Sequence, residues 1–124
     1  MKKLTKKRSI ELCLEMWTWL SKNPGSKKIG WPGMIKANDE YGYIDSECFA
    51  CEYTRQYILT RQVEMSCKKC PLIKLWGKYK GNTPCIDSEV SPYYHWVYSK
   101  YKDTKSAKKI ASYCRKLLKE MEKR

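Results

Sequence analysis

The chain predicts a mainly α fold: a small helical domain with an embedded four-cysteine zinc knuckle. Two observations carry that expectation. Segments near both ends repeat their apolar residues at helical spacing. Between them, two C-x-x-C pairs stand among glycines and prolines that interrupt any longer element. At 124 residues the chain fits a single domain spanning 1–124. A domain of this size builds only a modest core and gains from a staple.

The first helix is expected over about 5–22. Ile10, Cys13, Leu14, Trp17 and Leu20 share one face, Thr5 or Ser9 stands in a capping position, and Pro24 and Gly25 stop it. The run "KKIGWPGMIKANDEYGYID" carries Gly30, Pro32, Gly33 and Gly42 and reads as an irregular connection with at most a short turn of helix or strand. Trp31 and Tyr43 are its expected anchors on the core. The zinc knuckle is expected over about 45–86. Within it "EYTRQYILTRQVEM" favours a short helix over a strand, although its β-branched and aromatic content suits both. Ser91 followed by Pro92 reads as the cap and first residue of a helix over about 91–101. Here Tyr93, Trp96, Val97 and Tyr101 make a core stripe, and Tyr94 and Tyr98 fall off it toward the surface. The last helix is expected over about 104–122, capped by Asp103 or Thr104, with Ala107, Ile110, Ala111, Cys114, Leu117, Leu118 and Met121 as its buried stripe. The two terminal stripes pack on each other most simply, with the cysteine segment inserted across their ends.

Cys48, Cys51, Cys67 and Cys70 follow the pattern C-x2-C-x15-C-x2-C. A two-residue gap lets both thiolates of one turn face one ion, and two such turns complete the tetrahedron of a structural Zn2+ site. Cys85, with fourteen residues between it and Cys70, and His95, the single histidine, are alternatives for one ligand position. Seven cysteines in a chain without a signal-peptide pattern favour metal over disulfides, and the expected place is the cytoplasm. Cys13 and Cys114 lie on apolar stripes and read as core residues.

No catalytic residue is expected. Four cysteines close a zinc site, whereas a catalytic zinc keeps a position open for water. The chain has no H-E-x-x-H, no H-x-E followed by P-C-x-x-C, and no phosphate-cradling glycine loop. Nor does any stretch approach the roughly 20 apolar residues of a membrane span, so no membrane partner is expected.

The formal net charge is +13. Residues 66–86 carry five lysines (Lys68, Lys69, Lys74, Lys78 and Lys80) and no acid, and residues 87–124 carry ten cations against five acids. Such an excess attracts polyanions through counterion release, making DNA or RNA one partner class. The 21 Lys against 5 Arg weigh against bidentate base reading. Tyr94 and Tyr98 beside Lys100 and Lys102 suit either base stacking or anchoring in a protein interface.

Taken together, "WTWLSKNPGSKKIGWPG", "CFACEY", "CKKCPLIKLWG", "TPC" and "SPYYHW" resemble a group of small zinc-binding proteins encoded by bacteriophages of low-G+C hosts, over roughly residues 13–98. The resemblance implies a phage accessory protein with zinc on Cys48, Cys51, Cys67 and Cys70, with Cys85 a further candidate. It implies action in the host cell by binding a host protein. The sharpest form is an anti-CRISPR inhibitor of a CRISPR effector nuclease. The alternative is a basic, zinc-containing nucleic-acid-binding module using the knuckle lysines and the terminal helix.

Overall fold

The computed structural model describes residues 2–42, 49–57, 70–76 and 84–123. It is mainly helical, and no strand occurs among the described residues. Helix α1 spans Lys6–Lys22 and starts at Thr5, whose Oγ1 accepts the Arg8 N–H at 3.0 Å. That bond satisfies one of the amide donors a helix start leaves open. α1 ends at Asn23, with Gly25 just beyond at φ 86. Helix α6, the last, spans Thr104–Glu122 and starts at Asp103, whose carboxylate accepts the Ser106 N–H at 3.0 Å and the Ser106 hydroxyl at 2.8 Å.

α1 and α6 form the principal helix pair. The Gly25 N–H donates to the Tyr101 carbonyl at 2.8 Å, so the end of α1 meets the approach to α6 and the two helices run antiparallel. Their facing sides bury Ile10, Cys13, Trp17 and Leu20 from α1 and Ala107, Ile110, Ala111 and Cys114 from α6. The expected pairing of the end stripes is thus present. The buried side of α1 is wider than expected and also takes in Ser9, Leu12, Met16 and Ser21. A second helix accounts for the extra width: α3, Phe49–Tyr57, packs on α1 with Phe49 and Ala50 fully enclosed.

Two expectations need correction. The connection after α1 is more ordered than its glycines suggested, with a 3-10 turn at Lys28–Gly30 followed by helix α2, Met34–Tyr41. Met34 and Ala37 are its only buried residues, too few to make a visible stripe. The helix expected over 91–101 is shorter: α5 spans Pro92–Tyr98, because Lys100 and Tyr101 both take positive φ, 58 and 68. Where it is described, the cysteine segment puts α3 on the side of α1; most of the rest of it, and with it the expectation that it sits across the ends of the pair, lies outside the described residues.

A network of rings fills the interior beside the pair. Trp17 of α1 meets the edge of Trp96 at 4.7 Å and of Tyr93 at 5.9 Å. Tyr101 packs on Trp96 at 4.8 Å, and Trp76, from a 3-10 turn at Ile73–Trp76, approaches Tyr93 at 6.3 Å. These rings tie three separate stretches of sequence together, and the edge-to-face geometry of the Trp17 pairs adds to the apolar burial. The expected core role of Tyr93, Trp96, Val97 and Tyr101 is met: Trp96 is 1% exposed and the other three are half-buried. No helix among the described residues is long and apolar enough to cross a membrane.

Candidate functional site

Two regions bear on function: the cysteine-rich flank and the outer face of α6. In the flank, Cys51 is the third residue of α3 and half-buried. A thiolate in a helix's first turn is favoured by the helix's positive end. Cys70 is 8% exposed, and its Sγ accepts the Leu72 N–H at 3.4 Å. Sulfur is a donor that structural zinc takes, and a backbone N–H on the Cys70 sulfur is compatible with that role, so the donor type at both positions fits zinc. Cys48 and Cys67 lie outside the described residues. Among the described residues, no three His, Cys, Asp or Glu side chains form a ligand group. If zinc is bound, Cys48, Cys51, Cys67 and Cys70 would hold it, and its contribution would be a crosslink.

The alternative ligands are placed apart in role. Cys85 is half-buried in a single helical turn, α4, Pro84–Asp87. Its carbonyl accepts the Ser91 hydroxyl at 2.7 Å, while the Ser91 Oγ accepts the Tyr93 N–H at 3.2 Å. Ser91 thereby fastens the Cys85 turn to the start of α5. His95 is exposed, with its ring edge-on to that of Tyr94 at 5.5 Å. Cys13 and Cys114 are 2% and 0% exposed within the helix-pair core.

Tyr113 connects this flank to α6. Its phenol is pushed above its ordinary value, first by burial and then by the neighbouring Glu120, Cys114 and Cys70. The other expected binding residues divide as follows. Lys74 is exposed on the Ile73–Trp76 turn, and Lys68, Lys69, Lys78 and Lys80 lie outside the described residues. Tyr98 is 68% exposed and Tyr94 half-buried, their rings 4.4 Å apart.

The strongest surface feature is one the sequence pattern left in second place. Along α6, Lys105, Lys108, Lys109, Arg115, Lys116 and Lys119 are all exposed, with Ser112 exposed between them. Their spacing of three, four and seven residues keeps them on the side opposite the buried stripe. No carboxylate interrupts the run, since the first acid of the helix is Glu120. None of the six pairs with a carboxylate among the described residues; the one ion pair resolved there with its geometry joins Arg8 to Glu11 at 3.8 Å. Lys27 and Lys28 are engaged elsewhere. Lys27 Nζ lies 5.9 Å from the Tyr101 ring, and Lys28 Nζ donates to the Tyr93 hydroxyl at 2.9 Å.

Comparison with known proteins returns no match: no family model, curated protein or solved structure resembles the chain.

Proposed function

We propose that this chain is a non-catalytic nucleic-acid-binding module, stapled along its flank by a structural zinc ion and working in the cytoplasm of a host cell. The observation that carries the reading is the outer face of α6, where six exposed cations follow one another without a carboxylate. Unneutralised charge on a rigid rod is costly to maintain unless an anion covers it, and release of counterions from a polyanion supplies affinity there.

Electrophoretic mobility tests this reading. Labelled DNA and RNA of mixed sequence are expected to be retarded by the protein at near-physiological salt and released as salt rises. Failure to retard either at low salt contradicts the reading.

A second reading has one observation in its favour. The Tyr94–Tyr98 pair on α5, Tyr98 exposed and Tyr94 half-buried, has the character of a protein-interface anchor. In that reading the chain is a phage accessory protein that docks on and inhibits a host defence protein, in its sharpest form an anti-CRISPR acting on a CRISPR effector nuclease. Pull-down from host lysate should then capture one protein, and Tyr98→Ala should abolish capture. Capture unaffected by that substitution contradicts it.

A further inference from the structure

Resting on the nucleic-acid reading, we infer that the outer face of α6 binds the phosphate backbone of a double-stranded nucleic acid, independently of base sequence. The inference follows from what this face contains and what it lacks. Its exposed side chains from Lys105 to Lys119 are five lysines, one arginine and Ser112, with no exposed aromatic ring. Single strands are held largely by stacking unpaired bases on aromatic side chains, which this face does not offer. A duplex hides its bases and presents phosphates outward, where lysines act as point charges and a serine hydroxyl can donate.

Sequence reading is disfavoured by the same composition. Guanine is read best by the bidentate fork of arginine, and adenine by asparagine or glutamine. Only Arg115 supplies such a group here.

Geometry favours the flank of the helix over its end. Asp103 takes the Ser106 N–H at the start of α6 and adds a negative charge there, which disfavours a phosphate at the helix N-terminus. Lys105 and Lys119 stand about 21 Å apart along the axis, at roughly 1.5 Å per residue. At about 3.4 Å of duplex axis per phosphate on one strand, a face of that length laid along a duplex meets about six phosphates. The antiparallel course of α1 brings the exposed Lys6 and Lys7 of its first turn to the same end of the pair as Lys119 and Lys123, where Glu120 and Glu122 are exposed as well.

The test is fluorescence anisotropy of the full chain with two unrelated 24-base-pair duplexes and one strand of each, as salt is varied. The comparison variants are the triple Lys108→Gln, Lys109→Gln, Lys116→Gln; the same three positions changed to Arg; and the pair Tyr94→Ala, Tyr98→Ala. All three lysines are exposed, and unchanged circular dichroism melts establish that each variant is folded. Both duplexes should bind equally within about twofold and more tightly than their strands. The Gln triple should flatten the slope of log K against log salt by about 2 to 3, at roughly 0.9 for each phosphate no longer neutralised. The Arg triple should restore the slope, and the tyrosine pair should leave it unchanged. Tighter binding of single strands, abolished by the tyrosine pair, overturns the inference and leaves the nucleic-acid reading standing. Duplex binding with an unaltered slope in the Gln triple overturns the assignment to α6. Absence of binding to any of the four probes at low salt overturns the inference and the reading together.

Discussion

Gly33 stands against the face of Trp31, and a Cβ built there would overlap the indole ring. Trp31 is 9% exposed and meets the edge of Phe49 at 5.8 Å, so it fixes the connection after α1 onto α3. Gly33→Ala therefore displaces an anchor instead of adding a harmless methyl. Overpacking of this kind costs about 1–3 kcal/mol, and thermal melts should show the midpoint falling by several degrees; an unchanged midpoint would remove Trp31 as the anchor. The cysteines separate by the same residue-level logic. Cys13 sits in the apolar core, whereas Cys70 carries an amide donor on its sulfur and lies beside Tyr113. Cys70→Ser is expected to lower the melting temperature sharply and release zinc, and Cys13→Ser to do so much less. Equal zinc content in wild type and Cys70→Ser would take Cys70 out of the ligand set.

At the scale of elements, α6 is the most self-consistent. Its cap, buried stripe and cationic face each agree with the others, and Asp103→Ala should cost about 1 kcal/mol in chemical denaturation. The Asp103 carboxyl is held below its ordinary value. Partial burial pushes it up, but hydrogen bonds from the Ser106 N–H and hydroxyl and the charge of His95 together outweigh that effect. A lowered folded value means the cap's stabilisation is full above the unfolded carboxyl's range, near pH 4, and fades as pH falls through the folded value. The difference between wild type and Asp103→Ala should therefore shrink below about pH 4; a difference that persists in strong acid would show that charge plays no part. Legibility followed the same rule of agreement. α1 and α6 were readable because cap, stripe and breaker coincide. α2 was not, because its eight residues bury only two. The early stop of α5 carries no glycine; Ser99 makes it, its Oγ accepting the Lys102 N–H at 3.2 Å and the Asp103 N–H at 2.9 Å. A serine four residues before a capping aspartate was the available signal. The paired cysteines were legible as a spacing, but the start of α3 between Cys48 and Cys51 was not, since Phe49 and Ala50 reach the core by tertiary packing and not by periodicity.

Over the whole molecule, the positive charge is sorted by the fold. The antiparallel pair of α1 and α6 turns its apolar stripes inward, the aromatic network and α3 cover its remaining inner surfaces, and the cations of α6 are left on the outside. A net charge of +13 was visible in the composition, but its distribution was not. The sequence pattern placed weight on the knuckle lysines and on Tyr94 and Tyr98, whereas among the described residues the longest uninterrupted run of exposed cations belongs to α6. Lysine acetylation footprinting by mass spectrometry, with and without a saturating DNA duplex, tests the central claim most directly. Lys105, Lys108, Lys109, Lys116 and Lys119 should become protected while Lys22 and Lys36, exposed on α1 and α2, stay reactive. Protection of Lys22 and Lys36 with the α6 lysines left reactive would contradict the account.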